Sequence, residues 1–200
     1  MKTLLKIAGL IDRMNTLIGR VAFWLVLAAV LVSSVNAIVR KLFSMSSNAF
    51  LEMQWYLFAA VFLLCAPYAL LKNEHVRIDV LSCRFSDRGR IWLEIAGTLL
   101  FLLPIAGIVL YFSWPVFVSA FVSGEVSPSD GGLKLWPARL LVPVGFTMLI
   151  LQGLSQFIKC IGYLQGECPD PLVKEQKPSA EEELAEAIRQ QRQQQGVCND

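Results

Sequence analysis

Charged side chains are scarce in this sequence, and its positive and negative charges nearly cancel. Charged residues make up only 17% of the 200 positions, whereas hydrophobic residues make up 55%. A soluble domain carries about 25% charged residues, so this balance argues against an ordinary soluble fold. The formal net charge of +2 provides no global basic field of the kind that nucleic-acid binding needs. The composition therefore indicates a membrane protein with no nucleic-acid partner.

Residues that hold metals and cofactors are also few. His75 is the single histidine, so the chain cannot hold a haem between two histidines of its own. The five cysteines form no C-x-x-C pair, and their odd number argues against a disulfide framework or a zinc site. Glu74 and Asp79 lie near His75 in a charged loop, which is not the cleft that a catalytic nucleophile and base require. We therefore expect a chain that is not an enzyme and carries no cofactor.

Four long runs of uncharged, mostly apolar residues are the main feature of the sequence. A helix needs about 20 apolar residues to cross a hydrocarbon core of about 30 Å, whereas the strands of a membrane barrel alternate in polarity. Backbone groups in lipid must bond internally, so these runs predict helices. The predicted fold class is all-α integral membrane, with four transmembrane helices at about residues 21–39, 53–71, 92–122 and 138–160.

The distribution of Lys and Arg predicts the orientation of the spans. Fourteen of the 18 Lys and Arg residues lie in residues 1–20, 72–94 and 159–200, which are the N-terminal segment, the second loop and the end of the chain from Lys159 onward. The positive-inside rule then places both termini in the cytoplasm, an N-in/C-in topology. The third run continues to Ser123, whereas about 20 residues after Glu94 already bring the helix to Trp114. Its length predicts a strong tilt or a protrusion past Trp114.

The segments outside the spans differ in character. In residues 1–20 three cations recur every seven positions on one helix face, opposite apolar side chains. This predicts an N-terminal amphipathic interfacial helix among the lipid headgroups, and the alternative is a continuous cytoplasmic extension of the first span. Residues 21–164 then form the four-helix transmembrane domain, and residues 165–200 form a cytoplasmic, charged, Gln-rich tail.

Ionisable side chains are almost absent from the predicted spans. An ionisable residue inside a membrane is a functional hypothesis by default, and a stand-alone pump or carrier needs such groups. Glu52 and Glu94 lie at span ends, from which they can reach the interface. This absence favours a non-catalytic subunit. The neutral polar side chains within the spans suit helix–helix hydrogen bonds: Ser33, Ser34, Asn36, Gln54, Ser113 and Gln152.

The loop after the second predicted span carries a specific sequence. Residues 73–81 read Asn-Glu-His-Val-Arg-Ile-Asp-Val-Leu, and they follow a span that carries Glu52 and Trp55-Tyr56 at its start. This pattern resembles the signature of the small permease of tripartite ATP-independent periplasmic (TRAP) transporters, the DctQ-like family. The resemblance covers roughly residues 10–165. Where the second span of the family often has Gly-Ala, this chain has Cys65-Ala66.

The resemblance implies a function that is consistent with the missing intramembrane charges. The small subunit of this family pairs with a large permease that holds the sodium and substrate sites, and a periplasmic binding protein delivers an organic acid. The large permease works as an elevator in the bacterial inner membrane, and the small subunit enlarges its static scaffold. The family motif places His75, Arg77 and Asp79 in the cytoplasmic loop. The candidate partner contacts on the outer side are Arg40, Lys41, Glu52, Glu125, Asp130 and Lys134.

Two other function classes stay open on the sequence. One is a membrane-anchor subunit of an oxidoreductase, although such four-helix anchors usually hold haem through paired histidines. The other is a small independent carrier that forms oligomers. It predicts transport by this chain alone, whereas a scaffold subunit predicts no transport without its large permease.

Overall fold

Helices make up the regular structure of the chain. The computed structural model describes residues 2–43, 48–73, 87–129 and 132–166. Within these ranges the only pairing of extended backbone is one isolated bridge. The predicted tail lies outside the described residues from position 167 onward. The helical elements are α1 Lys2–Phe43, α2 Asn48–Leu71, α3 Asp87–Gly97, a π-helical segment Thr98–Leu102, α4 Leu103–Ser123 and α5 Trp136–Leu164.

Four helical runs are long and apolar enough to cross a membrane, which confirms the predicted all-α, four-span class. The third run joins α3, the π-helical segment and α4 without interruption. Its 36 residues extend about 54 Å at 1.5 Å per residue, well beyond a hydrocarbon core of about 30 Å. The runs are Thr3–Leu42, Asn48–Leu71, Arg88–Ser123 and Trp136–Leu164.

The N-terminal 20 residues do not form a separate helix. α1 continues unbroken for 42 residues, about 63 Å, through the boundary predicted near residue 20. It contains no proline, and polar side chains of its first half bond to α5, so nothing turns the chain at that boundary. The first 20 residues therefore continue the first span as one helix, and the location of this segment among lipid headgroups stays a prediction.

α5 is the central helix of the bundle. It packs against α1, α2, α3 and α4, and α1 also packs along α2, whereas α4 packs mainly on α5 and the π-helical segment. Large apolar side chains cover the outward faces of α1 and α4, where contact with hydrocarbon carries none of the cost of contact with water. Examples are Phe23, Trp24, Tyr111, Phe112 and Val122, all exposed.

Glycines allow the central helices to approach closely. A Cβ atom on Gly145 of α5 would lie 2.8 Å from the Cβ of Leu63 of α2. A Cβ on Gly19 of α1 would lie 2.6 Å from ring atoms of Tyr68. Lipid chains are as apolar as the helix surfaces, so no hydrophobic effect drives membrane helices together, and they associate instead through such close packing of small residues. These two contacts bring α1, α2 and α5 into one unit.

The π-helical segment lies directly before Pro104. Proline has no amide hydrogen and its ring crowds the carbonyl four residues earlier, so it disrupts the α-helical pattern. The Leu103 amide donates to the Thr98 carbonyl, which is the five-residue spacing of a π-helix. The chain thus accommodates Pro104 by a local change of hydrogen-bond spacing while α3 and α4 stay one helical run.

Candidate functional site

The α4–α5 loop, residues 124–129 and 132–135, folds back on itself. Gly124 ends α4 with a left-handed φ of 62°, which a side chain would disfavour. Val126 and Lys134 then form an isolated antiparallel bridge. Backbone hydrogen bonds of 3.0 Å continue this pairing from Ser127 N to Leu133 O and from Leu135 N to Glu125 O.

Glu52, near the start of α2, anchors this loop. Its carboxylate accepts one hydrogen bond from the Ser127 hydroxyl and one of 2.7 Å from the Leu133 amide. One turn further along α2, the Tyr56 hydroxyl donates to the Lys134 carbonyl at 3.3 Å. Glu52 was a predicted partner contact, and the structure directs its carboxylate to the loop of its own chain. The loop is thereby tied to α2.

A second contact ties the same loop to α5. Arg139 donates from both guanidinium nitrogens to the two carboxylate oxygens of Glu125, at 2.6 and 2.9 Å. This two-pronged geometry is the most directional form of ion pair. Both side chains are partly exposed, so the energetic contribution is small, and the main effect is to orient the loop.

Two of the predicted contact residues line an open groove between α1 and α2. Arg40 and Lys41, at the C-terminal end of α1, are both exposed. The groove encloses about 500 Å³ and lies at the same end of the bundle as the α4–α5 loop. Its other lining residues are Ser33, Asn36, Ala37 and Gln54.

The remaining predicted site residues divide into two groups. Lys134 is exposed and its backbone belongs to the anchored loop, so it lies at the same end of the bundle as Arg40 and Lys41. The other group lies outside the described residues, and it consists of His75, Arg77, Asp79 and Asp130.

A polar cluster at the opposite end of the bundle was not predicted from the sequence. Asp12 of α1 accepts hydrogen bonds from the Ser155 hydroxyl at 2.9 Å and from the Gln152 amide at 3.2 Å. Its second carboxylate oxygen pairs with the Lys159 ammonium group. The Asn15 amide donates to Gln152 at 2.6 Å. These contacts join the first half of α1 to the last part of α5.

The position of the cluster explains how charges are accommodated there. Lys159 lies about 20 residues, or about 30 Å of helix, beyond Arg139, which is the thickness of a hydrocarbon core. The ion pair therefore falls near the edge of the core, and Gln152 lies deeper with no exposed surface. The signal was present in the sequence as the spacing of Gln152, Ser155 and Lys159 on one face of α5.

Metal-binding geometry is absent from the described ranges. No group of three or more His, Cys, Asp or Glu side chains comes together within residues 2–43, 48–73, 87–129 and 132–166. Two buried polar atoms next to the polar cluster, Asn15 Oδ1 and Gln156 Nε2, have no hydrogen-bond partner in these ranges.

A protein-family model matches two thirds of this chain. The matching family model is described as tripartite ATP-independent periplasmic transporters, DctQ component, and it covers residues 29–162. The matched range includes the groove, the anchored α4–α5 loop and the α5 side of the polar cluster, while Asp12 and Asn15 lie before it. Comparison with curated proteins and with solved structures gives no match.

Proposed function

The chain belongs to the DctQ family, the small permease component of TRAP transporters, and from this premise we propose that it is the static scaffold of a sodium-coupled uptake system. A large permease partner would hold the sodium and substrate sites and move against this scaffold. A periplasmic binding protein would deliver the organic acid. On this proposal the chain lies in the bacterial inner membrane with both termini in the cytoplasm.

The observation that carries the proposal is how little charge the four helices hold between their ends. Asp12 and Lys159 form an ion pair near the edge of the hydrocarbon core, and Glu52 anchors a loop. α4 contains no charged residue at all. An ion or an anionic substrate crossing a membrane needs charged or strongly polar groups along its route. A chain with these features suits a structural role beside another permease.

The anchored end of the bundle supports a second part of the proposal. Arg40, Lys41 and Lys134 are exposed there, and Glu52 and Arg139 hold the loop that carries Lys134. Exposed charges that are held in a fixed arrangement attract a partner of opposite charge, which speeds its association and orients it. We propose that this end faces the periplasm and that the α4–α5 loop, through Lys134, contacts an acidic surface of the binding protein.

Purification and reconstitution together test this function. The chain should co-purify in mild detergent with a permease of many spans. Proteoliposomes that contain this chain alone should take up no organic acid, whereas addition of the large permease and the binding protein should give sodium-dependent uptake. Sodium-dependent uptake by the chain alone would refute the scaffold proposal and favour a small independent carrier. A Soret absorbance band in the purified chain would instead favour an oxidoreductase anchor.

A further inference from the structure

The groove between α1 and α2 has a regular chemical pattern. On α1 its lining positions follow the spacing i, i+3, i+4, i+7 and i+8, which forms one stripe along a helix. We name this set, together with the side chain of α2 that faces it, the polar stripe. Ala37 in its middle has the small size that lets another helix approach closely. The polar members of the stripe are Ser33, Asn36, Arg40, Lys41 and Gln54.

The polar stripe lacks partners within the described part of the chain. Side chains of Ser33, Asn36 and Gln54 make no hydrogen bond to any residue of the described ranges, and Arg40 and Lys41 form no ion pair there. Gln152, by contrast, is fully buried and bonded to Asn15 and Asp12. Amide and hydroxyl groups exposed to hydrocarbon are costly, so the stripe needs a covering partner.

The depth of the stripe distinguishes between a lipid and a helix as that partner. Ser33 lies eight residues, about 12 Å along the axis, from Lys41. A lipid headgroup at the level of Arg40 and Lys41 leaves Ser33 and Asn36 among acyl chains, which offer no hydrogen bonds. A helix runs the full length of the stripe and can present polar groups at the depth of Asn36 and a carboxylate near the two cations.

We propose that a transmembrane helix of the large permease packs on the polar stripe. That helix carries a hydrogen-bonding side chain level with Asn36 and Gln54 and an acidic side chain near Arg40 and Lys41. The inference rests on the proposed function, since it assumes that the large permease is the partner. It adds which surface of this chain the permease covers and which chemistry the covering helix has.

Site-specific photo-cross-linking tests the position of the helix. Benzoylphenylalanine replaces Ala37 in the stripe or Val35 on the opposite face of α1, in the full chain expressed with its large permease. Both positions are exposed, so the two variants differ mainly in the direction that they face. We expect a cross-link to the large permease from position 37 and none from position 35. Co-purification of the permease with the unmodified chain is scored first, and its failure would count against the proposed function itself.

Other outcomes with an intact complex overturn the inference and leave the proposed function standing. They are a permease cross-link from position 35 alone, a cross-link from neither position, and a cross-link from position 37 to phospholipid or to a second copy of this chain. Each of them shows that the large permease does not cover the stripe.

Substitution of the amides provides an independent test of the chemistry. Asn36→Leu and Gln54→Leu should each weaken retention of the large permease roughly three- to thirtyfold, the range typical of one interhelical hydrogen bond in a membrane. Ser113→Leu is the control, because the Ser113 hydroxyl of α4 already bonds to the Leu110 carbonyl and lies away from the groove. The melting temperature of the chain alone should stay unchanged in both amide variants. Unchanged retention in both would overturn the inference.

Discussion

The polar cluster between α1 and α5 allows a quantitative prediction about Asp12. Asp12→Ala removes the acceptor for the Ser155 hydroxyl and the Gln152 amide, and it leaves the Lys159 ammonium group without its carboxylate. The spans themselves keep their apolar contacts. We therefore expect the first half of α1, residues 2–20, to separate from α5 more readily while the rest of the bundle stays folded.

The size of the effect follows from the exposure of the pair. Removing one member of a fully buried ion pair costs about 3–5 kcal/mol, and a hydrogen bond to a charged group contributes about 1.5–3 kcal/mol. The side chains of Lys159 and Asp12 are 22% and 21% exposed, so water compensates for part of the loss. About 2–4 kcal/mol remains as the expected loss. At 1.4 kcal/mol per factor of ten, this corresponds to an equilibrium constant for opening of the contact that is about 30- to 700-fold larger.

Hydrogen exchange in detergent micelles measures this opening directly. Amides of residues 2–20 should exchange faster in Asp12→Ala, and amides of α2 and α4 should not change. Asp12→Asn keeps an oxygen acceptor and loses only the charge, so its effect should be smaller. Arg13→Ala is the matched control, because Arg13 is the exposed neighbour on a different side of α1.

Two results would refute this reasoning. One is equal exchange rates in Asp12→Ala and the parent chain, which would mean that the cluster contributes no net stability. The other is an equal acceleration in Arg13→Ala, which would point to a general effect of charge on the helix. A double-mutant cycle with Lys159→Met should recover a coupling energy of about 0.5–3 kcal/mol, the range for residues in contact.

Three further changes test other contacts. Gly145→Ala places a Cβ 2.8 Å from an atom of α2, so this substitution should lower the melting temperature of the chain in detergent. The control Gly107→Ala places its Cβ in open space and should leave the melting temperature unchanged. Equal melting temperatures of the two variants would contradict the close contact. Glu52→Ala removes the two hydrogen bonds that the Glu52 carboxylate accepts from the α4–α5 loop, and it should speed cleavage of that loop by protease, unlike the control Met53→Ala; equal cleavage of the two variants would contradict this role of Glu52. Glu125→Ala should change stability by less than about 1 kcal/mol, and a larger change that persists in high salt would contradict an exposed ion pair.

The spans were predictable because the length of an apolar run is a property of single segments. A run of about 20 uncharged residues has no alternative to a helix in lipid, whatever surrounds it. The continuity of α1 depends instead on what its first half contacts. The sequence shows cations at every seventh position, but the decisive contact pairs Asn15 with Gln152, 137 residues later. Local periodicity contains no information about such a partner.

The roles of individual polar residues were predictable only in part. Gln152 forms the helix–helix hydrogen bonds expected of it. Ser113 bonds within its own helix, and Asn36 lines an open groove. Glu52 was placed correctly at the end of a span, yet its bond to Ser127 crosses 75 residues of sequence and could not be foreseen. Composition predicts where a polar side chain lies along a span, and only the packing determines what it meets.

The central position of α5 has a consequence for synthesis. It is the last described helix in chain order, and every other helix packs against it. A ribosome adding about 5–20 residues per second needs roughly 7–27 s to make the 137 residues that separate Asn15 from Gln152. During that interval α1 and α2 are already made, but the bonding face of α1 has no α5 to meet. The contact between α1 and α5 therefore forms only after α5, the last described helix, has left the ribosome, and until then the first half of α1 lacks its polar partners.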